Sequence, residues 1–137
     1  MGLAQSKRPV VLIVEDELLL RMNAVDMIEA AGFEAVEAAN ADEAKSLLKT
    51  FPEIALVFSD IQMPGSMDGL KLAAAVKGRW PPIKIVATSG LVNVRSADLP
   101  EGGRFIPKPY YPVQLAETLQ DLTADLRRSM DVQGHAG

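Results

Sequence analysis

Pro9-Val10-Val11-Leu12-Ile13-Val14-Glu15-Asp16 sets an unbroken apolar run directly before two acids. A short run that is apolar at every position has no solvent face, and its β-branched residues favour a strand buried on both sides. Residues 9–14 therefore read as a central parallel strand. The stretch 17–31 follows as a helix, with Leu18, Met22, Val25 and Ile28 spaced to line one face and Gly32 as the terminating residue. Residues 33–38 read as a second strand with Glu34 and Glu37 turned to water. Asn40 caps the next helix, Glu43 stands three residues on in capping-box spacing, and the helix stops at about residue 50, before Pro52.

The alternation continues to the end of the chain. Residues 54–59 form a strand, 60–69 a loop, and 70–79 a helix that packs Leu72 or Ala73, Val76 and Trp80. Pro81-Pro82 breaks that helix, and 83–88 is the fourth strand. Residues 91–99 make a short, weak helix and 105–106 a brief fifth strand. The last helix spans 112–128, with Pro112 at its first position and Leu115, Leu119, Leu122 and Leu126 on one face. Five βα units predict an α/β protein, a (βα)5 doubly wound parallel five-stranded sheet covered by helices on both faces. The chain is too short for a closed eight-stranded barrel. The domain is expected over 9–128, with a disordered segment at 1–8 and a flexible tail at 129–137.

Composition removes several chemistries. The chain has 137 residues, of which 48% are hydrophobic and 23% charged, enough for one domain with its own core. Cysteine is absent, which excludes disulfides, thiolate catalysis and cysteine-bound zinc. The single histidine is His135, near the end, so histidine-based triads and histidine-rich metal sites are excluded from the domain. A net charge of −4 argues against nucleic acid as a partner. No apolar run is long enough for a membrane span, and the first residues lack the apolar core of a signal peptide. Residues 1–6 fit an N-myristoylation pattern short enough to arise by chance. A cytoplasmic location is expected.

In open parallel sheets, sites gather at the carboxyl ends of the strands. Those ends carry Glu15-Asp16, Asp60, Thr88-Ser89-Gly90 and Pro107-Lys108-Pro109. Each has an ordinary reading by itself: a helix cap, a turn residue, a strand-to-helix turn, a solvated loop charge. Together they bring three carboxylates, one or two hydroxyls and a lysine to one rim. Clustered carboxylates repel unless a cation is near, and Mg2+ prefers such hard oxygen ligands. Lys108 and Ser89 suit phosphoryl oxygens, and a carboxylate can itself accept a phosphoryl group. Neither a P-loop nor a G-x-G-x-x-G segment occurs, so the donor is expected to be another protein or a small reactive phosphate.

With these motifs the sequence resembles the response regulator receiver domains of two-component signalling, over about residues 9–128. The resemblance rests on Val14-Glu15-Asp16-Glu17, on Asp60-Ile61-Gln62-Met63-Pro64 with Asp68-Gly69 downstream, on Thr88-Ser89-Gly90 and on Lys108-Pro109. It implies the flavodoxin-like, CheY-like fold with strand order 2-1-3-4-5. It implies that Asp60 is the phosphoacceptor and that Asp16 and Asp60 are side-chain ligands of Mg2+. Glu15 would be the further acid, acting through water, and Gln62 would complete the metal site with its backbone carbonyl. Lys108 would contact the phosphoryl group, through a loop whose bond to Pro109 is cis. Ser89 would be the switch hydroxyl, with Thr88 as the alternative, and Phe105 the aromatic switch. Gln62 and Leu91 would flank the site and tune the lifetime of the acyl phosphate.

The implied partners are a sensor histidine kinase or histidine phosphotransfer protein and a downstream protein. The implied change remodels the surface of segment 91–99, the fifth strand and the last helix. Two departures stand out: loop 64–69 is one residue longer than the common form, and 90–103 is short and rich in helix breakers. The chain is expected to act as a complete single-domain signalling protein without an output domain, through its own surface or as a phosphate shuttle, and not as an enzyme. An aspartyl-phosphate phosphatase would want a second aspartate where Gln62 stands. A flavin phosphate would be repelled by Glu15 and Asp16. The remaining alternative is an interaction module of the same fold that works without phosphorylation.

Overall fold

A computed structural model describes residues 8–62, 69–90 and 98–124. The elements run β1 (Val10–Val14), α1 (Leu18–Ala30), β2 (Glu34–Ala38), α2 (Ala41–Thr50), β3 (Ile54–Asp60), α3 (Gly69–Arg79), β4 (Lys84–Ser89), β5 (Arg104–Pro107) and α4 (Pro112–Leu122). The strands form one sheet in the order β2-β1-β3-β4-β5, and each neighbouring pair is parallel. The expected helix at 91–99 falls mostly outside the described residues, as do Leu91, Leu126 and the lengthened loop.

The all-apolar β1 is explained by two cores. Val10, Leu12 and Val14 pack with residues of α2 and α3, whereas Val11 and Ile13 pack with residues of α1 and α4. Successive strand side chains point to opposite faces, so a strand covered on both sides has no polar position. All five side chains of β1 are buried. Each buried side chain of this size contributes about 1.5–3 kcal/mol relative to exposure.

The start of α2 and the end of α1 follow their capping residues. Asn40 Oδ1 accepts the Glu43 N–H at 2.9 Å, and Glu43 Oε1 accepts the Ala39 N–H at 2.7 Å. The reach back therefore lands one residue before the cap. Replacing Asn40 by alanine removes an acceptor from an otherwise orphaned donor. A loss of about 1 kcal/mol is expected in urea denaturation. Gly32 follows α1 with φ +96°, a backbone region that L side chains rarely adopt.

Three expectations need correction. Leu18 and Met22 do not line the buried face of α1; they are 57% and 52% exposed, and the buried residues are Ala24 and Ile28. The start of α1 places leucines on three sides of its first turn (Leu18, Leu19, Leu20) with Met22 beyond Arg21, so the apolar spacing does not single out one face. β3 runs on to Asp60 and β4 to Ser89, each into what reads as loop. The expected face of α4 does hold at Leu115 and Leu119, which are buried, with Leu122 packed beside them.

Candidate functional site: an acidic pocket bridged by lysine

Four strands deliver chemistry to one edge of the sheet. β1 ends at Val14, and Glu15 continues the pairing, its N–H donating to the Ala38 carbonyl at 3.0 Å. The Glu15 side chain is thereby turned into the molecule and is buried, at 4% exposure. Its Oε2 accepts the Glu17 N–H at 3.1 Å, just ahead of α1. Asp60 closes β3 and is also buried; its Oδ1 accepts the Gln62 N–H at 3.0 Å in a tight turn.

Lys108 joins the two acids. Its Nζ donates to Asp60 Oδ2 at 2.9 Å and to Glu15 Oε1 at 3.1 Å. The lysine is held from behind, since its backbone N–H donates to the Ser89 carbonyl at 2.9 Å, and the Lys108–Pro109 bond is cis. Asp16 is exposed, yet it offers a carboxylate oxygen within 4.8 Å of oxygens from both Glu15 and Asp60. One ammonium faces three carboxylates. That surplus of negative charge on hard oxygen donors is a fit for a divalent cation such as Mg2+.

Burial pushes the Glu15 carboxyl above its ordinary value; the Glu17 N–H and Lys108 pull it down, and the Asp60 charge adds to the rise. Burial alone would lower the Lys108 ammonium, but its hydrogen bonds to Asp60 and Glu15 outweigh this and raise it. Burial and the Glu15 charge also raise the Tyr110 phenol, whose ring meets Phe58 edge-on at 5.3 Å.

A carboxyl with a raised pKa binds its proton more tightly folded than unfolded. Stability contributed by Glu15 therefore falls as pH rises from about 4.5 through the raised value. Without divalent cations, the melting temperature of the wild type should gain on that of Glu15→Gln as pH is lowered toward about 4.5. Glu15→Gln should stabilise the metal-free protein at neutral pH. An unchanged pH slope in the variant would contradict this.

Ser89 and Thr88 are both buried, at 1% and 2% exposure. Thr88 lies in register with Asp60 and Ile106, and its hydroxyl is buried without a hydrogen-bond partner among the described residues. Ser89 lies in register with Pro107. Phe105, half-buried, sits opposite Ala87 and packs against the cluster of Ile61, Ala87 and Leu99. Gln62 is exposed beside Asp60.

Two neighbours of the site escape a reading of the sequence for chemistry. Gly69 opens α3 against the turn after β3: its N–H donates to the Ile61 carbonyl at 2.8 Å, and a Cβ there would overlap the Asp60 carbonyl and Ile61 Cα. Asp68-Gly69 is visible as a pair, but its closeness to Asp60 is not. Arg21 reaches from α1 to the Glu15 carbonyl at 2.8 Å and to Glu37 Oε1 at 3.1 Å. Nothing in local spacing links these three residues.

An acidic, lysine-bridged cluster at the carboxyl edge of a 2-1-3-4-5 parallel sheet lies where doubly wound α/β domains place their sites. The response regulator receiver domain family matches residues 11–120, and the chain belongs to that family, the receiver domains of two-component signalling. The sensor kinase CckA of Brucella abortus is 35% identical over 116 residues; the match covers 82% of this chain and 12% of the kinase. The response regulator receiver protein CpdR of the same organism is 28% identical over 115 residues, covering 82% of this chain and 94% of that protein. Among solved structures, a response regulator receiver protein from Pseudomonas putida superposes with a TM-score of 0.75 at 28% identity, covering 85% of this chain and 99% of that one. Among the described residues, no helix is long and apolar enough to cross a membrane.

Proposed function

We propose that Asp60 accepts a phosphoryl group from the phosphohistidine of a sensor histidine kinase or histidine phosphotransfer protein. The observation that carries this reading is the Lys108 ammonium bridging the buried Asp60 and Glu15 carboxylates at 2.9 and 3.1 Å. An Asp60 oxygen attacks phosphorus, the P–N bond to histidine breaks with its electron pair passing to the ring nitrogen, and the imidazole leaves neutral after taking one proton from solvent. Lys108 meets the equatorial phosphoryl oxygens as a compact charge and stabilises the charge that develops there. Mg2+, held by Asp16, Asp60 and the Gln62 carbonyl with Glu15 acting through water, would supply the further positive charge that the acidic surplus calls for. The domain acts as a switch rather than as an enzyme on other substrates.

The strand alternation supports Ser89 over Thr88 as the hydroxyl that answers phosphorylation. Ala87 packs with Phe105, and Ser89 follows two residues later on the same sheet face; Thr88 falls on the other. Ser89 donates to the phosphoryl group, Phe105 moves into the space released, and the surface around β5 and α4 changes for a protein partner. Exposed apolar side chains at the starts of α1 and α4 (Leu18, Leu19, Met22, Tyr111, Val113) favour a protein over a small molecule as donor. A cytoplasmic setting belongs to this reading.

The test is transfer from a phosphorylated histidine phosphotransfer protein in Mg2+. The reading expects label on the wild type, none on Asp60→Asn, and a marked loss with EDTA. Label that persists on Asp60→Asn would overturn the assignment of the acceptor.

A further inference from the structure

Glu15 is held at every polar group that the fold can reach. Its N–H goes to β2, its Oε2 to the Glu17 N–H and its Oε1 to Lys108. The carbonyl remains. It lies past the end of β1 and ahead of Glu17, whose carbonyl accepts the Arg21 N–H within α1. The Arg21 guanidinium takes it: Nη1 donates to the Glu15 carbonyl at 2.8 Å while Nε donates to Glu37 Oε1 at 3.1 Å. The Arg21 side chain is 16% exposed, against 47% for Glu37.

We propose that Arg21 is a positioning residue for the cation-binding acids, acting by fixing the Glu15–Asp16 peptide. This rests on the reading of Glu15, Asp16 and Asp60 as a Mg2+ site. The Glu15 carbonyl and the Asp16 nitrogen share one rigid peptide plane. Rotation of that plane swings the Asp16 Cβ, and with it an exposed carboxylate that must meet the other two. Ala38 holds the plane before Glu15, and Arg21 holds the plane after it. The planar fork fixes its two donor directions relative to one another, whereas the donors of a lysine turn on a flexible stem. An ion pair as exposed as Arg21–Glu37 contributes little stability by itself, so the arrangement acts through orientation.

Charge and orientation predict opposite signs. If Arg21 acted only through its charge, removing a cation beside three acids would tighten Mg2+ binding. Orientation predicts weaker binding, in the range seen when groups that orient metal ligands are lost. The experiment is a calorimetric Mg2+ titration of the full chain as wild type, Arg21→Gln and Arg21→Lys, with circular dichroism melts on each. Arg21→Gln should raise the Mg2+ Kd about tenfold. Arg21→Lys should fall between it and the wild type. Saturating Mg2+ should restore labelling of both variants by acetyl phosphate to near the wild-type rate. Arg21→Gln binding Mg2+ as tightly as the wild type, or more tightly, overturns the proposal. If Arg21→Gln does not fold, Arg21→Lys decides: a clear rise in Kd supports the proposal and an unchanged Kd overturns it. A wild type that binds no Mg2+ would instead remove the metal-site reading beneath it, so the two failures are distinguishable.

Discussion

Lys108→Met is expected to slow phosphorylation by acetyl phosphate about 10²–10³-fold at saturating Mg2+, the range found when one preorganised donor is lost from a charge-stabilising site. The ammonium stands within hydrogen-bond distance of Asp60 Oδ2, on the carboxylate proposed to become the acyl phosphate. Methionine keeps a comparable stem and removes the charge, so the loss reports electrostatics more than packing. The same change leaves three carboxylates without an ammonium, and Mg2+ should bind the variant at least as tightly as the wild type. Slower chemistry with retained metal affinity is the signature of a group that acts on the phosphoryl oxygens. Intact-mass time courses and Mg2+ titrations read the two quantities separately. A rate within threefold of the wild type would contradict the role given to Lys108.

Gly69→Ala is expected to destabilise the fold by about 2–4 kcal/mol, because an added Cβ meets backbone that cannot give way as a side chain can. The clash is with the Asp60 carbonyl and Ile61 Cα, so the displaced atoms belong to the proposed acceptor residue and its neighbour. The variant should lose phosphoryl acceptance along with stability. Gly78 provides the internal comparison: it lies in the same helix, and an added Cβ there has nothing within 4 Å. Gly78→Ala should gain roughly 0.5 kcal/mol from helix propensity alone. Urea denaturation of both variants reads the contrast, and equal effects would contradict the close approach of α3 to Asp60.

Much of this architecture is legible in the sequence because burial on both faces leaves a simple trace. Runs such as residues 10–14 and 54–58 need no alternation to be recognised as strands. The site acids are legible for a related reason, since charged residues directly after apolar runs mark strand ends. The orientation of α1 is not legible: its first three residues are all leucine, and only the packed fold distinguishes Ala24 and Ile28 from the exposed Leu19 and Met22. Asp60 and Ser89 read as loop by residue type, yet pairing in the sheet carries both strands that far. The links from Arg21 to Glu37 and from Gly69 to Asp60 cross between elements, and no local spacing encodes them.

The most direct test of the account is the intact mass of the protein after incubation with acetyl phosphate, with and without Mg2+, beside Asp60→Asn. The account predicts a gain of one phosphoryl group on the wild type, dependent on Mg2+ and absent from the variant. Folded wild-type protein that binds Mg2+ and gains no mass, from acetyl phosphate or from a phosphorylated histidine donor, would contradict it.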